Sequence, residues 1–260
     1  MDRYNIMWTG GLDSTYTMVV YSRSEVEIQP YYLKHGRKSE KYELLAMKDI
    51  MEDLLSRKET KAHILPLIVI GESDIPGDPE VEAAYRRLKD DGGLGSQYDW
   101  IARYARHHDV EGLYYSPVKP LSDSSKFRAC IEKNGKISEL TNSAGRTYYT
   151  LDKENSSVDI KLIFGDFNLS ETFGLTKQEE ENALRSLGYG KLIEKTWFCH
   201  TPVLGHPCGY CHPCETTIEA GQTWRFTESE LKRYRQYKAG ASPLLVRIGS
   251  YLDHLNPFNR

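Results

Sequence analysis

The sequence has no run approaching the ~18–20 apolar residues of a membrane-spanning helix, so no segment reads as a span. Its first residues enter the apolar Ile6–Trp8 run at once, without the charged-then-apolar plan of an export signal. It lacks an excess of positive charge. With 34 basic and 37 acidic residues the net charge is −3, which argues against a broad electrostatic nucleic-acid footprint. Cysteine is scarce, and four of the five cysteines fall between 199 and 214. Clustered this way, with no export signal, they favour a metal site over disulfides. There is no internal repeat and no low-complexity tract. The expectation is a soluble cytoplasmic protein of one large α/β domain, or one domain with an appendage, in 260 residues.

The stretch around which the rest is arranged is Tyr4-Asn5-Ile6-Met7-Trp8-Thr9-Gly10-Gly11-Leu12-Asp13-Ser14-Thr15-Tyr16. A short apolar run reads as a buried strand, and the apolar and aromatic residues from Thr15 to Tyr21 read as a helix. A strand, a glycine turn and a helix N-terminus together hold phosphate well, because glycine lets the backbone approach a polyanion and the first helical amides lack partners. Ser14 and Thr15 add hydroxyl donors, and Asp13 suits a metal ion or a specific hydrogen bond. The lysine of the common Gly-x4-Gly-Lys-Ser/Thr loop is absent. The plainer reading is a Gly-Gly turn with Asp13 or Ser14 capping the helix.

Beyond this loop, Val26–Leu33 reads as a strand, 44–55 as a helix and His63–Ile70 as a third strand, with Pro66 arguing against its first half lying mid-sheet. This β-α-β-α-β order predicts a mainly parallel sheet with helices on both faces. Val81–Asp90 reads as an exposed helix, the stretch through Trp100–Ala105 as another helix, and Val110–Tyr115 as a fourth strand. Gly92-Gly93-Leu94-Gly95-Ser96 is a second glycine cluster, which could approach a ligand but reads as a flexible turn because nothing charged sits within it. Residues 117–168 read as a β-rich insertion: Asn134-Gly135 between apolar runs predicts a hairpin over Ala129–Ile137, and Arg146–Leu151 and Val158–Phe164 read as strands. Thr176-Lys177-Gln178-Glu179 and Thr227-Glu228-Ser229-Glu230 read as capping boxes. A last amphipathic helix follows Pro243, expected to pack on the domain or at a dimer contact.

The cysteines follow the spacing C-x8-C-x2-C-x2-C: Cys199, Cys208, Cys211 and Cys214. Two intervening residues make a tight turn that aims both sulfurs at one ion, and Gly209 suits the sharp backbone there. Four thiolates describe a closed structural zinc site; an iron–sulfur cluster is the competing occupant. His200, His206 and His212 are expected at the surface or around the site, not as ligands.

The loop resembles the S-G-G-x-D-S loop of the PP-loop ATP pyrophosphatases, with Thr9 in place of the first serine. Loop and cysteine cluster together resemble the 7-cyano-7-deazaguanine synthases. Trp197 and Cys199 are similar to that family's W-S-C entry into its zinc site, Cys208-Gly209-Tyr210-Cys211-His212-Pro213-Cys214 to the site itself, and Thr176-Lys177 to its S-K. The resemblance implies a PP-loop/HUP-like domain over 1–195, interrupted near 117–168, and a zinc-binding segment with C-terminal helices over 196–260. It implies ATP-dependent adenylation of a 7-deazaguanine carboxylate, pyrophosphate release and attack by a nitrogen acceptor. Thr9, Gly10, Gly11, Leu12, Asp13, Ser14 and Thr15 would then hold ATP, with Mg2+ near Asp13. Asp13, Ser14 and Lys177 would be catalytic, although Lys177 also reads as a solvated lysine in a first helical turn.

Departures lie in between. Gly112-Leu113-Tyr114-Tyr115-Ser116-Pro117 stands where the family has G-x-N-x-x-D followed by G-Y-P-D-C-R, and Gly95-Ser96-Gln97-Tyr98 stands where it has an R-N pair. Diverged relatives in antiviral defence clusters are thought to use acceptors other than ammonia, and this chain resembles that kind. Expected partners are therefore the deazaguanine substrate, an acceptor protein from the same operon and a second copy of the chain, with no membrane or nucleic acid. The competing readings are another PP-loop enzyme, such as a tRNA-modifying one, and a non-catalytic zinc module on an ATP fold.

Overall fold

The computed structural model describes residues 1–92, 94–120 and 125–242. In chain order the elements are β1 (Arg3–Met7), α1 (Leu12–Ser22), β2 (Glu27–Leu33), α2 (Glu40–Ser56), β3 (His63–Ile64), β4 (Ile68–Ile70), α3 (Pro79–Gly92), α4 (Gln97–His107), β5 (Leu113–Tyr115), α5 (Lys126–Asn134), β6 (Ile137–Thr141), β7 (Thr147–Leu151), α6 (Val158–Phe164), β8 (Phe167–Ser170), α7 (Lys177–Ser186), α8 (Gly190–Lys195), α9 (His212–Glu219) and α10 (Glu228–Lys238). The helix expected after Pro243 lies outside the described residues.

The chain is α/β, with a mostly parallel central sheet flanked by helices. It divides into two compact units. The first holds Met1–Thr9, Asp13–His35 and Asp53–Thr176; the second holds Gly10–Leu12, Gly36–Glu52 and the described residues from Lys177 onward.

The first unit contains the whole sheet, ordered β3-β2-β1-β5-β8-β7-β6, with β4 also pairing β2. Strands β1, β2, β3, β4, β5 and β8 pair in parallel, whereas β7 runs antiparallel to β8 and to β6. The expected third strand is two short ones, β3 and β4, on either side of Pro66. Proline cannot donate to the ladder, and the interruption is bridged by Gln29, whose side-chain amide donates to the Pro66 carbonyl at 2.8 Å. The core is formed by apolar residues such as Leu33, Ile70, Ile101, Leu113, Ile163 and Phe167. Helix α3, expected to be exposed, contributes Val81, Ala84, Tyr85 and Leu88 to it. Only its other face is polar, as in any helix laid on a sheet.

The insertion differs from the expected run of hairpins in two places. Residues 126–134 form helix α5, in which Phe127, Cys130 and Ile131 recur at helical spacing and Ser125 accepts the Arg128 amide as N-cap at 3.3 Å. Asn134 turns back to the Cys130 carbonyl at 2.9 Å, so the Asn-Gly pair ends a helix instead of turning a hairpin. Residues 158–164 form α6 in place of a strand: Ser157 caps it and Ile160, Ile163 and Phe164 are buried on one face. The hairpin that does form is β6–β7, turning through Asn142–Arg146. Asn142 donates to the hydroxyls of Tyr21 on α1 (2.6 Å) and Tyr114 on β5 (3.1 Å), which pins the turn to a helix and a parallel strand of the sheet.

Asp78 caps α3 by accepting the amides of Glu80 and Val81, both at 3.1 Å, and it also faces Arg106 and His107. Burial alone would raise its pKa, but the Val81 amide, Arg106, the Glu80 amide and His107 outweigh burial and hold it below the usual value. A depressed folded value means the stabilisation is complete above the unfolded pKa and is lost as pH falls through the folded one. Asp78→Ala is expected to cost about 1 kcal/mol at pH 7. Urea titrations should show the gap to wild type narrowing below about pH 4; a gap unchanged at pH 3 would contradict a charged cap.

Candidate functional site

Strand β1 is the point at which the sheet's connections change direction. The chain leaves β1 through α1 for β2 on one side, and β5 joins β1 on the other. In open α/β sheets such a reversal leaves a crevice beyond the carboxyl ends of the strands, where ligands bind. The glycine loop starts there, directly after β1, and runs into α1.

In the first unit, Trp8 is anchored by its amide to the Tyr31 carbonyl at 2.8 Å, and its indole N–H donates to Thr15 Oγ1 at 3.0 Å. Thr15 is fully buried, so its side chain braces the loop from inside. Ser14 Oγ accepts the Thr9 amide at 3.2 Å and lies 3.3 Å from Thr9 Oγ1. Thr9 and Ser14 are thus brought together across the loop, and half-buried Asp13 precedes Ser14 in the first turn of α1. Helix α1 is held further by Thr17, whose hydroxyl is 2.8 Å from Ser116 Oγ after β5 and donates to Ser170 Oγ, at the end of β8, at 3.0 Å. Ser170 in turn meets Thr172 at 2.8 Å. No motif in the sequence marks Thr17, Ser116 or Ser170. Their separation of more than fifty residues from one another leaves no local pattern to find.

In the second unit, Gly10 has φ +68°, and a Cβ there would lie 2.9 Å from both the Glu43 carbonyl oxygen and Met47 Cγ of α2. The Gly10 carbonyl accepts the Trp197 amide at 2.9 Å, and Trp197 stacks on Tyr42 with ring centroids 4.8 Å apart. Lys177 is half-buried as the first residue of α7.

The segments that depart from the resembled family are tied together within the first unit. Gln97 donates to the Tyr115 hydroxyl at 2.7 Å, the Tyr98 and Tyr115 hydroxyls are 3.3 Å apart, and Tyr98 stacks on Phe127 at 5.2 Å. Tyrosines and a glutamine, packed and hydrogen-bonded, occupy these positions.

The four cysteines of the second unit converge. All four sulfurs lie within 4.8 Å of one another. Cys208–Cys214, Cys211–Cys199 and Cys211–Cys214 are 3.8, 3.9 and 3.4 Å apart. Bonds of about 2.3 Å to a tetrahedral zinc place sulfurs roughly 3.8 Å apart. Amides point at the sulfurs as they do in a metal knuckle: Cys208 N to Cys199 Sγ at 3.2 Å, and Tyr210 N and Cys211 N to Cys208 Sγ at 3.4 and 3.2 Å. Thr201 Oγ1 adds a donor to Cys208 Sγ at 3.2 Å. By themselves four thiols this close share charge unevenly. Hydrogen bonding from Cys199 pushes the Cys208 thiol down to about 7 and Cys211 well below its usual value, while Cys199 and Cys214 are held high by bonding to Cys208 and Cys199 respectively. A divalent cation lets all four be thiolates. The cluster could hold a metal ion such as zinc.

The knuckle is closed from behind by α10. Gly209 has φ +82°, and a Cβ there would be 2.5 Å from the Glu230 carbonyl oxygen. Arg233 is 2% exposed and donates Nε to the Cys208 carbonyl and Nη2 to the Pro207 carbonyl, both at 3.0 Å. Removing the guanidinium strands two carbonyls and leaves Glu230, also 2% exposed, without its neighbouring cation. Arg233→Met is expected to weaken metal binding by about 10–100-fold. Competition with a chromogenic chelator measures this, and an unchanged affinity would show that Arg233 only fills space.

No protein-family model matches this chain, and no curated protein matches it. Among the described residues no helix is long and apolar enough to cross a membrane.

Proposed function

We propose that this protein is an ATP pyrophosphatase of the PP-loop type that adenylates a 7-deazaguanine carboxylate and passes the activated acyl group to a nitrogen acceptor. The observation that carries this reading is the placement of Thr9–Thr15: a glycine turn leaving β1, where the sheet's connections reverse, and entering α1. The N-terminal end of α1 and its dipole favour a polyphosphate there. A carboxylate is a poor electrophile, and attack of its oxygen on the α-phosphate makes it a mixed anhydride with a good leaving group.

This chain's residues contribute binding and orientation. Gly10 and Gly11 let the backbone approach the phosphates closely. The Thr9 and Ser14 hydroxyls, already paired at 3.3 Å, present donors at the loop. Asp13 would hold Mg2+ against the phosphates, and that ion would supply charge neutralisation. Lys177 is the proposed cation for the reacting phosphate. The four cysteines, proposed as zinc ligands, leave no open position and so hold structure only. The tyrosine network around Tyr98 and Tyr115 replaces residues that the resembled synthases carry, and this supports an acceptor other than ammonia, such as a protein amine.

The test is pyrophosphate release from ATP with and without 7-carboxy-7-deazaguanine. Release is expected only with the acid present. Asp13→Asn and Ser14→Ala are each expected to lower the rate by about 10²–10³-fold. Native rates in both variants would remove the loop from the mechanism, and no acid-dependent release by wild type would remove the substrate class. Rapid nitrile formation on ammonium alone would overturn the choice of acceptor.

A further inference from the structure

The first unit contains a cavity that the proposed reaction does not use. It has a volume of about 320 Å3 and is walled by Tyr16 of α1, Glu139 of β6, Arg146, Thr147 and Tyr149 at the start of β7, and Glu171 just past β8. That volume suits a small metabolite.

The charges in this wall are unusually placed. Arg146 Nη1 lies 3.6 Å from Glu171 Oε1, within ion-pair range but too far for a hydrogen bond. Glu171 Oε1 is buried and accepts no hydrogen bond among the described residues. A buried carboxylate oxygen in that condition carries a desolvation cost that a donor from outside would relieve. Glu139 stands directly across the β6–β7 pair from Tyr149, so the two side chains share one face of the hairpin. The cavity thus presents two carboxylates, one guanidinium and two phenol rings.

A simple cation would meet the carboxylates but be repelled by Arg146, and a simple anion would meet Arg146 but face two carboxylates. A molecule bearing both charges a few bonds apart satisfies all three groups. Its carboxylate would face the planar donor fork of Arg146, and its ammonium, with three donors, would reach Glu171 and Glu139. The rings of Tyr16 and Tyr149 supply apolar walls for a side chain. We propose that this cavity binds a small zwitterion of the α-amino-acid class. The inference does not depend on the adenylation reading, and its test contains no ATP.

The test uses the full chain and an equimolar pool of the twenty proteinogenic L-amino acids, observed by ligand-detected saturation-transfer NMR. Each responding amino acid is then titrated alone by calorimetry, beside its N-acetyl and carboxamide derivatives. At least one amino acid is expected to bind saturably, with each derivative weaker by about tenfold or more. Arg146→Met should abolish the penalty for the carboxamide, and Glu171→Gln the penalty for N-acetylation, with circular dichroism confirming the fold of both. The comparison of derivatives on the wild-type protein stands even if a variant fails to fold. Absence of saturable binding across the pool, equal binding of free and capped forms, or binding indifferent to both substitutions would each overturn the proposal.

Discussion

Cys208→Ser is expected to reduce bound metal from about one ion per chain to nearly none and to unfold the segment around it. Cys208 stands at the centre of the knuckle: its sulfur accepts from Thr201, Tyr210 and Cys211, and its amide donates to Cys199. The apolar cluster around these residues is small. Val203 and Phe226 are its buried non-cysteine members, with Trp197, Phe198, Tyr210, Ile218 and Leu231 partly buried around them. A core of that size does not hold a fold without a staple. A structural zinc contributes on the order of 10–16 kcal/mol in comparable knuckles, far beyond what these side chains supply. Elemental analysis and thermal melting with and without a chelator read both effects, and iron with visible absorption would identify the competing cluster. Cys130→Ser is the control. Cys130 is 3% exposed, belongs to the apolar core of the first unit and is not one of the four converging sulfurs, so its loss should leave metal content unchanged. A Cys208→Ser protein that keeps its metal and its melting temperature would refute the assignment.

Gly10→Ala is the second large effect. At φ +68° an alanine pays about 1–2 kcal/mol for the left-handed conformation. Its Cβ would also lie 2.9 Å from a backbone carbonyl oxygen, that of Glu43, which cannot swing aside as a side-chain tip can. The expected total is about 2–4 kcal/mol of stability, and the proposed pyrophosphate release should fall below detection because the loop must open to relieve the clash. Gly36 provides the comparison. It has φ +74° but nothing within 4 Å of an added Cβ. Gly36→Ala should therefore show the conformational cost alone, about 1–2 kcal/mol. Denaturant titrations that place the two variants together would mean that Gly10 is not packed against α2 as described.

The two stretches that carry these predictions were readable in the sequence because each works through neighbours in the chain. Two residues between cysteines fix a turn that directs two sulfurs to one point, whatever the surrounding fold. A Gly-Gly pair between an apolar run and a helical pattern implies a strand–turn–helix unit for the same local reason. The capping box at Thr227–Glu230 is present, with Glu230 Oε2 2.6 Å from the Thr227 amide and Thr227 Oγ1 accepting the Glu230 amide. Segments 126–134 and 158–164 went the other way. Short apolar runs rich in isoleucine and phenylalanine suit a strand or a helix, and the choice falls to whichever surface buries them. Here α3 and α4 offer a helix-packing surface, and both segments take it.

By itself, then, the sequence determined the glycine turn between a strand and a helix, the convergence of four cysteines that could hold a metal, and the alternation of strands and helices that makes the sheet mostly parallel. Only the tertiary structure decided that β8, four residues with little pattern of their own, is a strand between β5 and β7. It alone joined Thr17 to Ser116 and Ser170, and it alone brought Arg146, Glu139 and Glu171 to one cavity. The division has a physical reason: turns, caps and knuckles are set by torsions and hydrogen bonds within a few residues, whereas strand partners and polar cavities depend on which distant surfaces exclude water together.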